Sequence, residues 1–329
     1  MVPVKAKTDD RIKGVFLDLG LVNAGLSTMK EIRDKLIDFR TASGKPVIAF
    51  AASSHPGPSY LASAADKVYL VPQGDLDFRG LRSEMMFYTG LFEKLGVEMQ
   101  FIRGSDNKFK SYGEAFTRKD MSPANKEQVS TLLHGVWEVY LADVGAQRKL
   151  SPVRLDSIAN GLLVRSADDA VNKGMVDSLL YRDQVMEAIK ARMALDKDKD
   201  VRFTELADYT RAYVAKAKPA DAKSGVLPKV AIVYATGDIS GGDGTDESIG
   251  SATLSEAIRK VRLDSTVKAI VLRVNSPGGS GLASDVIWRE VELAKQVKPV
   301  VVSMGDVAAS GGYYISCAAS KIYAEPTTI

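Results

Sequence analysis

The sequence predicts an α/β protein built from two copies of one strand–helix–strand–helix–strand unit, each on a mostly parallel sheet. Three observations predict it. Short β-branched runs recur, and stretches with apolar residues at helical spacing follow them. Three blocks of the first half return in the same order in the second half, offset by about 254 residues. The composition is that of a globular chain, 45% hydrophobic and 26% charged over 329 residues.

The elements follow in chain order. Ile12–Leu19 reads as a buried strand, and its block Asp10–Gly20 matches Ser265–Asn275, which contains the strand Val267–Val274. Leu26–Arg40 and Ala283–Gln296 carry helical spacing. Gly44–Phe50 then matches Val297–Ser303, with Pro46 and Pro299 each opening a strand at an edge-compatible first position. Tyr60–Pro72 matches Tyr314–Pro326, a small helix followed by the strands Val68–Val71 and Ile322–Ala324. Between the copies, Val97–Arg103 reads as a strand. A long helix starts at Ser122 with Pro123 in its first turn and runs to about Arg148. Tyr181–Leu195 and Thr204–Ala217 read as helices. The polar stretch from Ala217 contains Pro and Gly and reads as a linker. The predicted organisation is therefore a first repeat over 1–216, a linker over 217–228 and a second repeat over 229–329, opened by the strand Lys229–Thr236. The flanks of the two copies are unequal. The expectation is a longer parent at both ends, with the second repeat of this chain being its N-terminal part only, without the helices that should cover its strands.

Charge and cysteine content exclude several classes. Forty-four basic against 41 acidic residues leave a formal charge of +3, which is not the concentrated basic face of a nucleic-acid protein. One cysteine, Cys317, excludes an internal disulfide framework and a thiolate zinc site. With only His55 and His134, a histidine-rich metal site is not expected, and no metal or cofactor is called for. No apolar run approaches the roughly 18 residues of a membrane span, and the N-terminus lacks the apolar core of a secretory signal.

Two segments carry candidate chemistry. Asn275-Ser-Pro-Gly-Gly-Ser280 sits between a strand and a helix, and its glycines let backbone N–H groups face a ligand, as an oxyanion hole requires. It also reads as a plain turn. In Gly305-Asp-Val-Ala-Ala-Ser-Gly-Gly-Tyr-Tyr314, Ser310 lies where a strand turns into a helix, among small residues, which is the arrangement of a nucleophile elbow. The same serine also reads as a helix N-cap. The first copy has Pro56 or Gly57 opposite Ser310 and lacks the Pro-Gly-Gly turn, so only the second copy offers a nucleophile. A serine nucleophile needs a base. His134 reads as a partly buried packing residue in mid-helix, and His55 lies in a loop of the degenerate copy. Lysine is the next candidate if burial lowers its pKa. Lys110 lies between Phe109 and Ser111, with Phe116 near, so apolar neighbours would desolvate it and Ser111 would hydrogen-bond it, although any one lysine also reads as a solvated surface charge.

Three motifs carry a family resemblance: Asn275-Ser-Pro-Gly-Gly279, Val307-Ala-Ala-Ser-Gly-Gly-Tyr313, and Phe109-Lys-Ser-x-x-Glu-x-Phe116 followed by Asp120-Met-Ser-Pro123. With these the chain resembles the signal peptide peptidase A family, the long, tandem-repeat form of the S49 serine peptidases. The resemblance covers nearly the whole chain. It implies Clp-protease/crotonase-like repeats and a Ser/Lys dyad with Ser310 as nucleophile and Lys110 as general base. Gly278, Gly279 and Gly311 are then the candidate oxyanion and substrate backbone, with Ser111 in support. The implied substrates are remnant signal peptides and other short hydrophobic peptides. The implied setting is the periplasmic or exterior side of the bacterial cytoplasmic membrane, through an anchor outside this chain, in a homotetrameric bowl with no nucleic-acid partner. Two other readings stand beside it. One is acyl-CoA chemistry on the same superfold, with Ser310 only a cap. The other is an inactive paralogue that binds peptides at a sheet edge.

Overall fold

The computed structural model describes residues 2–102, 104, 107–194, 200–211 and 228–329. Two parallel sheets form, one per predicted copy. The first is ordered β1 (Val15–Leu19), β2 (Val47–Ala51), β3 (Lys67–Leu70) and β4 (Ser178–Leu179). α1 (Val2–Lys7) precedes it. α2 (Leu26–Ser43) links β1 to β2, and α3 (Pro56–Ala62) links β2 to β3. α4 (Thr89–Leu95), α5 (Glu114–Thr117), α6 (Pro123–Arg148), α7 (Pro152–Asn160) and α8 (Ala167–Asn172) fill the excursion to β4, and α9 (Arg182–Arg192) and α10 (Leu206–Arg211) follow it.

The second sheet is built from β5 (Lys229–Thr236), β8 (Val267–Ser276), β9 (Val300–Ala308) and β10 (Lys321–Tyr323), with β5 and β10 at its edges. A separate parallel pair, β6 (Asp238–Ser240) and β7 (Ser248–Gly250), leads into α11 (Ser251–Leu263). α12 (Gly281–Lys295) links β8 to β9, and α13 (Gly311–Ser316) links β9 to β10. Pro46 and Pro299 sit just before central strands rather than at edges. They are tolerated because a carbonyl is all these positions give: Val15 N–H donates to Pro46 O and Ile270 N–H to Pro299 O, each at 2.9 Å.

The duplication extends to register. Val15 pairs with Val47 as Ile270 pairs with Val300, and Ile48 pairs with Lys67 as Val301 pairs with Lys321. The chain re-enters each sheet identically, with Asp66 N–H on Val47 O and Ser320 N–H on Val300 O, both at 2.8 Å.

The core of each unit lies between its sheet and its helices. The first sheet is covered on its other face too: Phe16, Ile48, Phe50 and Tyr69 pack against Val185 and Ile189 of α9. The counterpart face of the second sheet leaves Val230, Ile232, Tyr234 and Tyr323 exposed. On that face α2 of the first unit reaches the sheet through Glu31 and Arg273, and it leaves those four side chains uncovered.

Two predicted elements differ or fall outside the described residues. Val97–Arg103 is no strand over its described residues: Ile102 is fully exposed, and a β-prone run without a neighbouring strand has no ladder to join. The linker over 217–227 lies outside the described residues, as does the end of the helix predicted from Thr204.

Candidate active site

β9 leaves its regular register just before Ser310. Val274 pairs with Met304, but the next pair is Ser276 with Ala308, so β9 bulges over Gly305–Val307. The Asn275 side chain secures the bulge, accepting from Val307 N–H at 3.0 Å. Ala309 N–H then donates to Ser276 O at 3.0 Å, and the chain turns into α13.

Ser310 sits in that turn, exposed, with φ 50° and ψ −116°. A non-glycine residue held there carries about 1–3 kcal/mol of backbone strain, the kind the surrounding structure must impose. The position is the N-cap of α13, yet Ser310 makes no capping hydrogen bond. Four other N-cap serines among the described residues do. Ser122, Ser151, Ser166 and Ser280 each accept from a backbone N–H three residues on. The first copy shows the contrast again: His55, the N-cap of α3, has an ordinary extended backbone at φ −99°. The geometry therefore separates Ser310 from a helix cap and leaves its hydroxyl presented on a strained elbow.

The Pro-Gly-Gly turn packs directly against this elbow. Gly278 has φ 100°, and a Cβ there would lie 2.5 Å from Gly311 N and 2.8 Å from Ser310 Cβ. Gly279 has φ 154°, and a Cβ there would meet Ile239 O at 2.1 Å. Ser276 supports the turn from below, donating to Gly237 O at 2.6 Å and accepting from Gly278 N–H at 3.1 Å. Ile239 brackets Gly279 from β6, donating to Gly278 O at 2.9 Å and accepting from Ser280 N–H at 2.8 Å. In a parallel bridge of that form the bracketed residue turns its own N–H away from the partner strand. Of the three predicted backbone donors, Gly278 N–H is thus engaged by Ser276, Gly279 N–H points away from β6, and Gly311 N–H opens α13, where no intrahelical acceptor exists for it.

Lys110 lies elsewhere. It is exposed in the loop before α5, its backbone N–H donating to Asn107 O at 3.1 Å, and it is not desolvated as expected, because Phe109 beside it is itself exposed. It lines a groove of about 770 Å³ with Phe101, Ile102, Lys108 and Tyr112, and every lining residue falls within 101–124. The second sheet contributes no wall, so the described groove does not join Lys110 to Ser310. Ser111 is half-buried, and its carbonyl accepts from Glu114 N–H at 2.9 Å.

Glu114 received no role from the sequence, and the structure gives it one. Its buried carboxylate accepts from Ser122 N–H and from the Asn125 side-chain amide, both at 3.0 Å. Burial opposes its ionisation, but the hydrogen bonds from Ser122 and Asn125 outweigh burial and hold its pKa below the ordinary value. Glu114 thereby fastens the lysine loop to the start of α6. His134 differs from the partly buried residue expected. It is exposed on α6, its Nδ1 2.7 Å from Ser130 O, because the surface of α6 around it is left uncovered.

A sequence model of peptidase family S49 matches residues 40–196 and again 292–329. The chain belongs to peptidase family S49. The first S49 segment contains Lys110 and the second contains Ser310. The chain is 39% identical to Protease 4 of Salmonella typhi, over 99% of this chain and 52% of that protein. It is 34% identical to the chloroplastic serine protease SPPA of Arabidopsis thaliana, over 99% and 48%. It spans about half the length of these curated relatives. A solved peptidase from Plasmodium falciparum aligns with 55% of this chain and 85% of its own at 10% identity and a TM-score of 0.31. Among the described residues, no helix is long and apolar enough to cross a membrane.

Proposed function

We propose that this S49 chain contributes to a serine endopeptidase in which Ser310 is the nucleophile and Lys110 the general base. The observation that carries the reading is the strained, uncapped Ser310 turn wedged against Gly278 and Gly279. Lys110 Nζ, as the base, takes the proton of Ser310 Oγ as that oxygen bonds to the peptide carbonyl carbon. The carbonyl oxygen becomes an oxyanion, held by the N–H groups of Gly279 and Gly311. The tetrahedral species collapses, the C–N bond breaks, and the lysine proton leaves with the amine. Water then attacks the acyl-serine, giving its proton to Lys110, and the acid departs as Ser310 regains its hydrogen. The groove that Lys110 lines takes no wall from the second unit, and in this reading the dyad is completed on assembly, in the tetrameric bowl that the family resemblance implies.

The substrate class follows from the resemblance and is supported by the exposed apolar residues beside Lys110: remnant signal peptides and other short hydrophobic peptides at the bacterial cytoplasmic membrane, on its periplasmic or exterior face. The Phe101, Ile102 and Tyr112 side chains offer such peptides an apolar wall.

The test is labelling with a fluorophosphonate, which bonds only to an activated serine. This chain and a version extended to the length of its relatives are compared with Ser310→Ala and Lys110→Ala in each. Labelling that vanishes in both variants supports the dyad. Labelling that survives Ser310→Ala, or no labelling in either length, returns Ser310 to a structural role and favours the acyl-CoA or peptide-binding readings.

A further inference from the structure

Helix α2 belongs to the first unit but is capped by the second. Its N-cap, Gly25, has no side chain to offer, and no cap bond of its own forms. The first-turn donors go instead to Asp306, in the β9 bulge. Asp306 Oδ1 accepts from Thr28 N–H at 2.8 Å, and Oδ2 accepts from Gly25 N–H at 3.2 Å and from Thr28 Oγ1 at 2.6 Å. The carboxylate also faces the positive end of an 18-residue helix, where an anion is favoured. The fit leaves room only for hydrogen at residue 25, since a Cβ there would lie 2.3 Å from Asp306 Cγ. One turn further along α2, Glu31 receives a forked pair from Arg273 at 2.6 and 3.0 Å, and Arg273 also donates to Ser303 Oγ and Met304 O of β9. Ser27 and Thr327 add a buried hydroxyl pair at 2.8 Å.

From Asp306 to Ser310 the backbone has little freedom. Val307 N–H is held by Asn275, Ala308 N–H by Ile329 O at 2.7 Å, Ala309 N–H by Ser276 O, and Asp306 O accepts from Ile329 N–H. A shift of the Asp306 carboxylate is therefore passed along a pinned segment to the Ser310 elbow.

We propose that Asp306 is a positioning residue. By capping α2 across the unit boundary, it fixes the Ser310 elbow relative to the unit that carries Lys110. This rests on the reading of Ser310 as nucleophile. Asp306 touches no reacting atom in it.

The experiment measures the rate constant of fluorophosphonate labelling at Ser310, on gel-filtered folded protein of whichever length labels, alongside thermal unfolding. The variants are Asp306→Ala, Asp306→Asn, Gly25→Ala, the Asp306→Ala/Gly25→Ala pair, and the milder Thr28→Val in case Asp306→Ala does not fold. Asp306→Ala and Gly25→Ala are expected each to slow labelling about tenfold or more, since small displacements of a reacting group are costly. Asp306→Asn, whose amide oxygen still accepts from Thr28 N–H, recovers most of the rate. The double variant is no slower than either single one, because both break the same contact. A purely structural cap would lower the melting temperature and leave the rate on folded protein unchanged, which overturns the proposal. So does an asparagine variant as slow as alanine. Failure of the nucleophile reading looks different, as wild-type protein then shows no label that Ser310→Ala removes.

Discussion

Small neighbours let the chain turn tightly enough to hold Ser310 in its strained conformation. Gly278 occupies the space that any side chain would need beside the elbow, and its own φ of 100° suits only glycine. Gly278→Ala is expected to destabilise the fold by about 1–3 kcal/mol through backbone strain alone, and more if Gly311 is displaced. Labelling at Ser310 should be lost with it. Gly281→Ala is the control, since a Cβ there meets nothing within 4 Å and alanine favours the first turn of α12. Urea unfolding of both variants, with labelling of the folded fraction, checks the pair; equal stability and equal labelling would sink the account. The two glycine pairs were legible in the sequence because tight approach restricts residue choice. What separates Ser310 from an ordinary cap was not, because a missing hydrogen bond leaves no trace in residue type. Asp306 was legible only as an acid beside a motif and Glu114 only as a motif residue without a role, since their partners lie 278 and 11 residues away.

Glu114 governs an element rather than a bond. It joins α5 to the N-terminus of α6, where Ser122 already caps the helix by accepting from Asn125 N–H at 3.1 Å. Its depressed pKa has a sign that can be tested. The unfolded carboxyl titrates near its ordinary value of 4.5, so the stabilisation is fully present above that pH and is lost as pH falls through the lower folded value. Glu114→Gln should therefore melt at lower temperature than wild type at pH 7, and the gap should close progressively below about pH 4.5. Thermal melts of both proteins from pH 7 to pH 3 measure it, and a gap independent of pH would refute the assignment. The lysine loop around it was the least legible region. The run from Val97 has strand-forming residues, but strand formation needs a neighbour that the local sequence does not supply. By contrast α6 was readable from Ser122-Pro123, because a cap and a first-turn proline act within a few residues.

At the scale of the molecule, the repeat was the most legible feature, since matched sequence blocks impose matched registers on both sheets. The repeat also shows where the two units diverge. α9 shields the outer face of the first sheet, with Val185 and Ile189 buried, while Ile232 on the second sheet remains 51% exposed. The same type of substitution should thus have opposite consequences in the two units. Ile189→Ala removes a buried side chain and is expected to cost about 2–5 kcal/mol. Ile232→Lys replaces an exposed one, and its effect on unfolding should stay within about 0.5 kcal/mol. Exposed apolar faces of this kind promote association, so Ile232→Lys should also reduce concentration-dependent self-association of this chain. Denaturant unfolding and sedimentation velocity on the two variants decide the matter. A large stability loss from Ile232→Lys would mean that its side chain is covered in solution. An Ile189→Ala variant as stable as wild type would mean that α9 does not close the first sheet.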